Sequence, residues 1–240
     1  MHGSPPGDAG AERFEPDALP ELTPDLALSR LPSGRHGLPR SFVARNQRAR
    51  LIAAMLRVLP EHGYPATTIG HVTEEAGVSR AAFYAQFESK EECFLATYDL
   101  AGEWLGERVE RAVAGEDDWT VRVRTGVAEA LDLLAINPGI AHLIAVEAAQ
   151  AGPAARRRRQ TCLDRFAAAL RAERPSRAEL PPELEQLLIG GALAVVARYV
   201  DEGRTERLPD ASDELVRCLL APYRAGAEPS AESPEVDRAA

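Results

Sequence analysis

The chain has 240 residues, 45% of them hydrophobic, so it is long enough to bury a sizeable core in one or two domains. Its net charge of −9, taken over the whole chain, argues against nucleic-acid binding. Three cysteines at wide spacings favour neither a disulfide framework nor a zinc site, and we expect no metal and no cofactor.

Charge is distributed unevenly along the chain. Residues 1–34 hold six acidic and two basic residues, and residues 91–240 hold 27 acidic and 18 basic residues. Residues 35–90 instead hold eight basic and four acidic residues, which makes this the only positive segment. A local positive segment is the electrostatic footprint that DNA binding requires. No apolar run approaches 18 residues, and we expect a cytoplasmic protein with no membrane partner.

The chain begins with a segment that lacks core-forming residues. We predict that residues 1–37 form a disordered arm, because they are rich in Pro, Gly and acidic residues. Whether the basic end of this arm contacts DNA stays open. A first helix is predicted from Ser41 to His62, where apolar residues recur at helical spacing. Pro60 lies in its last turn and cannot donate a hydrogen bond, so we expect a kink or an early end there.

Two short helical patterns follow and meet at the sequence Ala-Gly-Val-Ser, residues 76–79. Thr68 is placed to N-cap the first of these helices, and Gly77 to end it in the left-handed conformation that favours glycine. Ser79 is placed to cap the second helix almost at once. A turn of this length between two helices is helix-turn-helix spacing, in which the second helix enters the major groove of DNA.

One face of each motif helix is apolar. The inward pairs at i, i+4 spacing are Val72 with Ala76 and Phe83 with Phe87. The opposite, outward face holds Arg80, Ala81, Tyr84 and Gln86. Arg80 is placed to read guanine and Tyr84 to reach a phosphate or a base edge, while the small side chains allow close approach. An ordinary surface helix in a helical bundle is the alternative interpretation.

The flanking sequence extends this motif on both sides. The matching residues are Gly63, Tyr64, Thr67, Thr68, Ala76 to Ser79, Phe83, Tyr84, Phe87, Ser89, Lys90 and Glu91. In this order and spacing they resemble the N-terminal domain of the TetR family of transcriptional repressors. The resemblance implies a homodimeric repressor that binds a double-stranded DNA operator and is released by an unidentified small-molecule effector.

Lys90 is the only lysine among the 28 basic residues of the chain. The resemblance implies that a lysine at this place grips a DNA phosphate, and that Arg45 and Arg48 also contact phosphates. An exposed charge near a helix cap is the alternative for Lys90. The candidate DNA-binding residues are Arg45, Arg48, Thr68, Gly70, Ser79, Arg80, Ala81, Tyr84, Gln86 and Lys90.

Downstream, helical patterns alternate with breaks. The predicted helices run from Lys90 to about Val113, from Trp119 to Asn137, on to Gln150, from Ala154 to Glu173, from Pro181 onward and from Ala211 to Leu220. We therefore predict an all-α protein, with an N-terminal three-helix helix-turn-helix DNA-binding domain followed by an all-helical ligand-binding and dimerisation domain. The predicted boundaries are 38–92 and 93–224, with a disordered tail over 225–240.

The helix after Pro181 carries the most regular apolar stripe of the chain, and Gly190 and Gly191 lie within it. The close approach of a second helix would explain these glycines. With the next helix, this region resembles the last two helices of the TetR family, which form a four-helix dimer interface. An intrachain core is the alternative. The predicted interface residues are Leu184, Leu187, Leu188, Gly191, Val195, Leu215 and Leu219.

A ligand cavity in a helical bundle is apolar with a few polar groups. The candidate pocket residues are Trp104, Trp119, His142, Glu147 and Phe166. A buried Glu147 would bind a polar or cationic ligand group, and an interhelical salt bridge is the alternative.

Two other functions stay open. One is an activator, or a regulator without a physiological ligand. The other is a helical small-molecule-binding protein or enzyme without specific DNA binding. The sequence has no Ser/His/Asp pattern, metal-ligand cluster or Gly-rich phosphate loop, so we expect that the protein is not an enzyme.

Overall fold

The computed structural model describes residues 40–172, 174 and 180–224. Its helices are α1 (Arg40–Ala66), α2 (Ile69–Ala76), α3 (Arg80–Tyr84), α4 (Lys90–Val113), α5 (Trp119–Ile136), α6 (Pro138–His142), a π-helical turn (Leu143–Glu147), α7 (Ala148–Gln150), α8 (Pro153–Arg171), α9 (Leu184–Asp201), a 3₁₀ helix (Thr205–Ala211) and α10 (Ser212–Arg224). Within these ranges all regular structure is helical, which confirms the predicted all-α fold. The predicted arm over 1–37 and tail over 225–240 lie outside the described residues.

The break in α1 does not fall where the sequence predicted it. The helix continues through Pro60, and the non-helical residue is Gly63, with φ 68° and ψ 159°. A positive φ of this size is readily adopted only by glycine, so Gly63 sets the position of the bend. Pro60 leaves the carbonyl of Leu56 without its helical donor. That carbonyl faces α6, where a Cβ atom added to Gly139 would lie only 2.6 Å from the Leu56 oxygen. The prediction of a kink at Pro60 was therefore wrong.

The first three helices pack around a shared apolar cluster. Its large, fully buried members are Leu51, Met55, Leu59, Val72, Phe83 and Phe87. The first three lie at helical spacing on α1, and Val72 and the pair Phe83 and Phe87, on α3 and just after it, face inward as the sequence predicted. Their burial fixes which face of α3 points outward.

The long helix α4 joins the helix-turn-helix unit to the rest of the chain. Its first turn is capped by Ser89, whose hydroxyl oxygen accepts the N–H of Glu92 at 3.1 Å. The helix runs unbroken over the predicted Lys90–Val113 range, so it crosses the predicted domain boundary after residue 92. It packs against α1, α5 and α8, and its buried residues belong to the same continuous core as those of α1.

A network of hydrogen bonds around the buried Glu185 joins α8, α9 and α10. The Glu185 carboxylate is fully buried and accepts hydrogen bonds from the Arg171 guanidinium at 3.2 and 3.0 Å and from the Tyr223 hydroxyl at 3.1 Å. It also forms an ion pair with Arg174. Burial alone would raise the pKa of Glu185, but hydrogen bonds from its own backbone, from Arg171 and from Tyr223 hold it below its usual value.

Among the described residues, no single helix is both long and apolar enough to cross a membrane. Two consecutive segments reach the length and apolar composition of a membrane span only when they are taken together: Trp119–Ile136 and Pro138–Gln150. The chain bends by 109° between them.

Candidate DNA interface and effector cavity

The helix-turn-helix unit is built by the three local signals that the sequence predicted. The Thr68 hydroxyl oxygen accepts the N–H of His71 at 3.1 Å, which caps α2. Gly77 ends α2 with φ 61° and ψ 39°, a left-handed conformation. The Ser79 hydroxyl oxygen then accepts the N–H of Ala82 at 3.1 Å and caps α3. These caps fix where α2 ends and α3 begins.

The outward face of α3 offers chemistry suited to a DNA groove. Arg80, Ala81 and Tyr84 are exposed, and the Tyr84 side chain is 58% accessible. On the opposite face Phe83 is fully buried. Arg80 lies beside α2, where a Cβ atom added to Gly70 would come within 3.4 Å of its guanidinium nitrogen. The glycine therefore leaves room for the Arg80 side chain.

The two predicted phosphate contacts on α1 differ in their surroundings. Arg45 is exposed. Arg48 turns inward, where its guanidinium donates to the backbone carbonyl of Gln86 at 3.1 Å and lies 4.3 Å from the centre of the Phe87 ring. Arg48 thus links the segment that follows α3 to α1. No sequence pattern indicates this contact, because the partner is a backbone carbonyl 38 residues away.

Lys90 also makes contacts that the sequence did not reveal. Its ammonium group donates to the carbonyl oxygens of Tyr64 and Thr67, at 2.8 and 2.7 Å. It lies 4.2 Å from the centre of the Tyr64 ring. Burial lowers the pKa of Lys90. An ammonium group has three N–H donors, so these two bonds leave at most one for a DNA phosphate.

Glu147 connects the π-helical turn to the helix-turn-helix unit. One of its carboxylate oxygens accepts the backbone N–H of Tyr64 at 2.6 Å, and the other lies 3.4 Å from Nδ1 of His142. The glutamate is 3% exposed. Tyr64, which donates this hydrogen bond, directly follows Gly63, the residue with non-helical φ and ψ in α1.

An apolar cavity of about 260 Å³ lies among the helices beyond the DNA-binding region. Its walls come from α4, α5, the π-helical turn, α8, α9 and α10. The polar side chains in the lining belong to Tyr98, Arg122 and Cys162, and among the described lining residues there is no Asp or Glu. The Tyr98 hydroxyl is hydrogen-bonded to the Cys162 thiol, and burial raises the pKa of both groups.

The structure separates the five residues predicted for the pocket. Trp119 and Phe166 line the cavity. Trp104 is buried in the main core instead, and His142 and Glu147 face the junction with α1. A cationic ligand group paired with Glu147 is therefore not supported by the geometry, because the carboxylate is bonded to the Tyr64 backbone. Within the described residues, no group of three or more His, Cys, Asp or Glu side chains is arranged to hold a metal ion.

The predicted dimer surface is partly open and partly internal. Leu187 on α9 is 72% exposed, and Cβ atoms added to Gly190 or Gly191 would meet nothing within 4 Å. Leu184, Leu188 and Val195 are half-buried within the chain. Leu215 and Leu219 on α10 are buried and line the cavity. The apolar face of α10 is thus covered by its own chain, and the place of these two residues in a dimer interface stays a prediction.

Comparisons with known proteins agree with this arrangement. A sequence profile described as bacterial regulatory proteins, tetR family, matches residues 51–97. The nucleoid occlusion factor SlmA of Marinomonas sp. (strain MWYL1) is 28% identical over 103 residues, which cover 43% of this chain and 52% of SlmA. The HTH-type transcriptional regulator CymR of Pseudomonas putida is 38% identical over 89 residues, covering 36% of this chain and 44% of CymR. The chain spans about half the length, or less, of the curated relatives it matches.

The fold as a whole has solved counterparts. The transcriptional regulator FadR from Bacillus subtilis, solved in complex with stearoyl-CoA, superposes with a TM-score of 0.61 at 20% identity. The match covers 72% of this chain and 97% of FadR. At 20% identity this likeness shows a shared fold, in which a capped helix-turn-helix unit stands in front of a helical bundle. The likeness to the tetR family of bacterial regulatory proteins is shown over residues 51–97, which run from within α1 to within α4.

Proposed function

We propose that this protein binds operator DNA as a homodimer, represses transcription in the cytoplasm, and is released from DNA by a small, largely apolar effector. The outward face of α3 carries the proposal. It presents the exposed Arg80 and Tyr84 on a helix that is capped at its start and anchored by the buried Phe83. In a dimer, two such helices would enter successive major grooves about 34 Å apart.

The exposed groups of the helix-turn-helix unit divide between two tasks. Arg80 carries a planar fork of donors that suits the two acceptors of guanine in the major groove. Tyr84 and Arg45 are exposed donors for phosphate oxygens, which position the protein on the duplex without reading its sequence.

The surface of α9 supports a homodimer. Leu187 is the most exposed of the large apolar side chains in the described chain, and it lies one helical turn from Gly191. The open space beside Gly190 and Gly191 admits the backbone of a second helix at close range. A twofold-symmetric pairing would place the same surface of the partner against it.

The cavity supports an apolar effector. Its lining is dominated by Leu, Ile, Val, Ala and Phe side chains, with the Arg122 guanidinium as the charged group among the described lining residues. Such a site favours a hydrophobic ligand that is neutral or carries an anionic end, and disfavours a cation. Since the FadR counterpart holds stearoyl-CoA, fatty acyl compounds are the first effectors to test. Burial raises the pKa of Tyr98 and of Cys162, which disfavours the ionised form of either group as a nucleophile or base.

The proposal is tested by measuring, with fluorescence anisotropy, the affinity of the protein for DNA that flanks its own gene. A scrambled duplex is the comparison, and both are measured over a series of salt concentrations. We expect specific binding with the stoichiometry of a dimer and a steep fall in affinity as salt rises. Arg80→Ala should abolish the preference for specific DNA, whereas the control Arg156→Ala, an exposed arginine on α8, should bind normally. If Arg80→Ala keeps both affinity and sequence preference, α3 is not the recognition helix.

A further inference from the structure

The contact between Glu147 and Tyr64 joins the π-helical turn, which supplies Ile144 to the cavity wall, to the C-terminal part of α1. We propose that Glu147 is a positioning residue that holds the helix-turn-helix unit in its DNA-binding orientation, and that an occupant of the cavity weakens this hold by moving the π-helical turn. The inference rests on the proposed function and adds the route by which the cavity acts on α3.

At the DNA-binding end, the backbone of Tyr64 is held from two sides. Its N–H donates to the Glu147 carboxylate at 2.6 Å, and its carbonyl oxygen accepts from the Lys90 ammonium at 2.8 Å. The bend at Gly63 directs this N–H away from the helical ladder. Four residues later, Thr68 caps α2, so the orientation of Tyr64 is passed directly to the motif.

At the cavity end, the same π-helical turn supplies a wall residue. Ile144 lines the cavity and lies three residues before Glu147. A π-helical turn inserts one extra residue into a run of α-helix, and such turns occur frequently at functional sites. A displacement of Ile144 by a bound molecule therefore reaches Glu147 within a single turn.

The start of α6 packs closely against α1, which limits where this movement can occur. Gly139 lies so close to α1 that a Cβ atom there would meet the Leu56 carbonyl oxygen at 2.6 Å. A side chain at this position would clash with the backbone of α1, so α6 and α1 are already closely packed here. Movement produced in the cavity is consequently concentrated after His142, in the turn that carries Ile144 and Glu147.

The surroundings of Glu147 fit a contact that can be released. His142 is the other polar group beside it, with Nδ1 at 3.4 Å from the carboxylate, and this nitrogen makes no hydrogen bond among the described residues. The carboxylate thus depends on the Tyr64 N–H for its short hydrogen bond. Loss of that bond would leave the buried carboxylate without its hydrogen-bond donor. The turn with this bond and the turn without it would therefore differ in free energy.

The test uses the full-length protein and a substitution that stands in for a ligand. Ala130 lines the cavity on α5, and Ala130→Phe places a phenyl ring in the cavity volume. This change is combined with Glu147→Ala, with Glu147→Gln, which retains an acceptor oxygen, and with Glu103→Ala, an exposed acidic control on α4. Hydrogen exchange of the Tyr64 amide and affinity for duplex DNA are measured for each protein, at a temperature where all are folded.

We expect Glu147→Ala to expose the Tyr64 amide to exchange and to lower DNA affinity by about tenfold, a usual size for coupling between sites. Glu147→Gln should retain most of the protection, and Glu103→Ala all of it. Ala130→Phe should lower DNA affinity in the wild-type background but change it less than about twofold in the Glu147→Ala background.

Three results would overturn the inference, and they are distinguishable. If Ala130→Phe lowers DNA affinity equally in the wild-type and the Glu147→Ala backgrounds, the cavity acts by another route, and the proposed effector response survives. If Ala130→Phe changes neither DNA affinity nor Tyr64 exchange in any background, the effector response itself fails, and the coupling fails with it. DNA affinity of Glu147→Ala equal to that of the wild type would remove the positioning role.

Discussion

The ammonium group of Lys90 lies 4.2 Å from the centre of the Tyr64 ring and donates to the carbonyl oxygen of the same residue at 2.8 Å. A second hydrogen bond goes to the carbonyl oxygen of Thr67. The only lysine of the chain therefore binds the C-terminal end of α1 to the start of α4. A favourable charge at the last carbonyls of a helix stabilises that end of the helix dipole.

Replacement of Lys90 should reduce the stability of the fold as well as DNA binding. We expect Lys90→Ala to lower the free energy of unfolding by about 2 kcal/mol, because two hydrogen bonds from a charged donor are lost. For a chain of this size that corresponds to a fall in Tm of roughly 4–8 °C. Arg45→Ala, on the exposed surface of α1, should leave Tm unchanged and reduce the salt slope of DNA binding by about one. If Lys90→Ala leaves Tm unchanged, Lys90 does not stabilise the fold and acts only in DNA binding.

A single charge on the open surface of α9 should separate the proposed dimer. Leu187 is 72% exposed in one chain, so Leu187→Glu places a carboxylate where the partner helix would pack. We expect a monomer in sedimentation equilibrium and a loss of high-affinity binding to a two-site operator. Ile136→Glu is the matched control, since Ile136 is 63% exposed at the end of α5. A dimer that persists in Leu187→Glu would move the interface elsewhere.

The three cysteines should react with thiol reagents in a fixed order. Burial raises the pKa of Cys93 to about 12, so almost none of this thiol is ionised at about pH 8, and it should react only after unfolding. Cys218 is exposed and should react first. Cys162 lies in the cavity lining with a pKa raised by burial, so it should react slowly, and more slowly still with a cavity occupant. Colorimetric thiol titration of Cys218→Ser identifies the fast phase, and fast labelling of Cys93 would contradict its burial.

Acid should remove the contribution of Glu185 to stability. Its pKa in the folded chain is held below the ordinary value of 4.5, so its stabilising effect is present above that value and is lost as the pH falls through the lowered pKa. We expect Glu185→Gln to unfold more easily than the wild type at about pH 7, by roughly 1–3 kcal/mol, because charge-assisted hydrogen bonds are weakened. The difference should shrink as the pH falls below 4.5, as measured by urea unfolding across this range. Glu183→Gln, its exposed neighbour, should show no such difference.

The caps of α2 and α3 could be predicted from the sequence because each depends on atoms only three residues apart, as for Thr68 with His71 and Ser79 with Ala82. The inward faces followed from periodicity for the same local reason. The contact between Glu147 and Tyr64 could not be predicted in this way, since 83 residues separate the two partners and one of them is a backbone N–H. Backbone groups carry no signal in the side-chain pattern.

The error at Pro60 has a related cause. Sequence rules identify the missing donor of a proline, but they do not say whether packing around the helix keeps its φ and ψ helical. Here Gly139 of α6 approaches the Leu56 carbonyl, and α1 continues to Gly63. The burial of Leu215 and Leu219 within their own chain was likewise not visible in the sequence, because an apolar stripe does not reveal what covers it.

The two-sided hold on the Tyr64 backbone has a thermodynamic consequence for the proposed mechanism. Coupling free energy between two binding sites is reciprocal, so operator DNA must weaken the cavity's affinity for its occupant by the same factor by which the occupant weakens DNA binding. Protein on its operator would therefore respond to a higher effector concentration than free protein in solution. The dose that empties the operator is then set jointly by the effector and by the number of operator copies competing for the same protein.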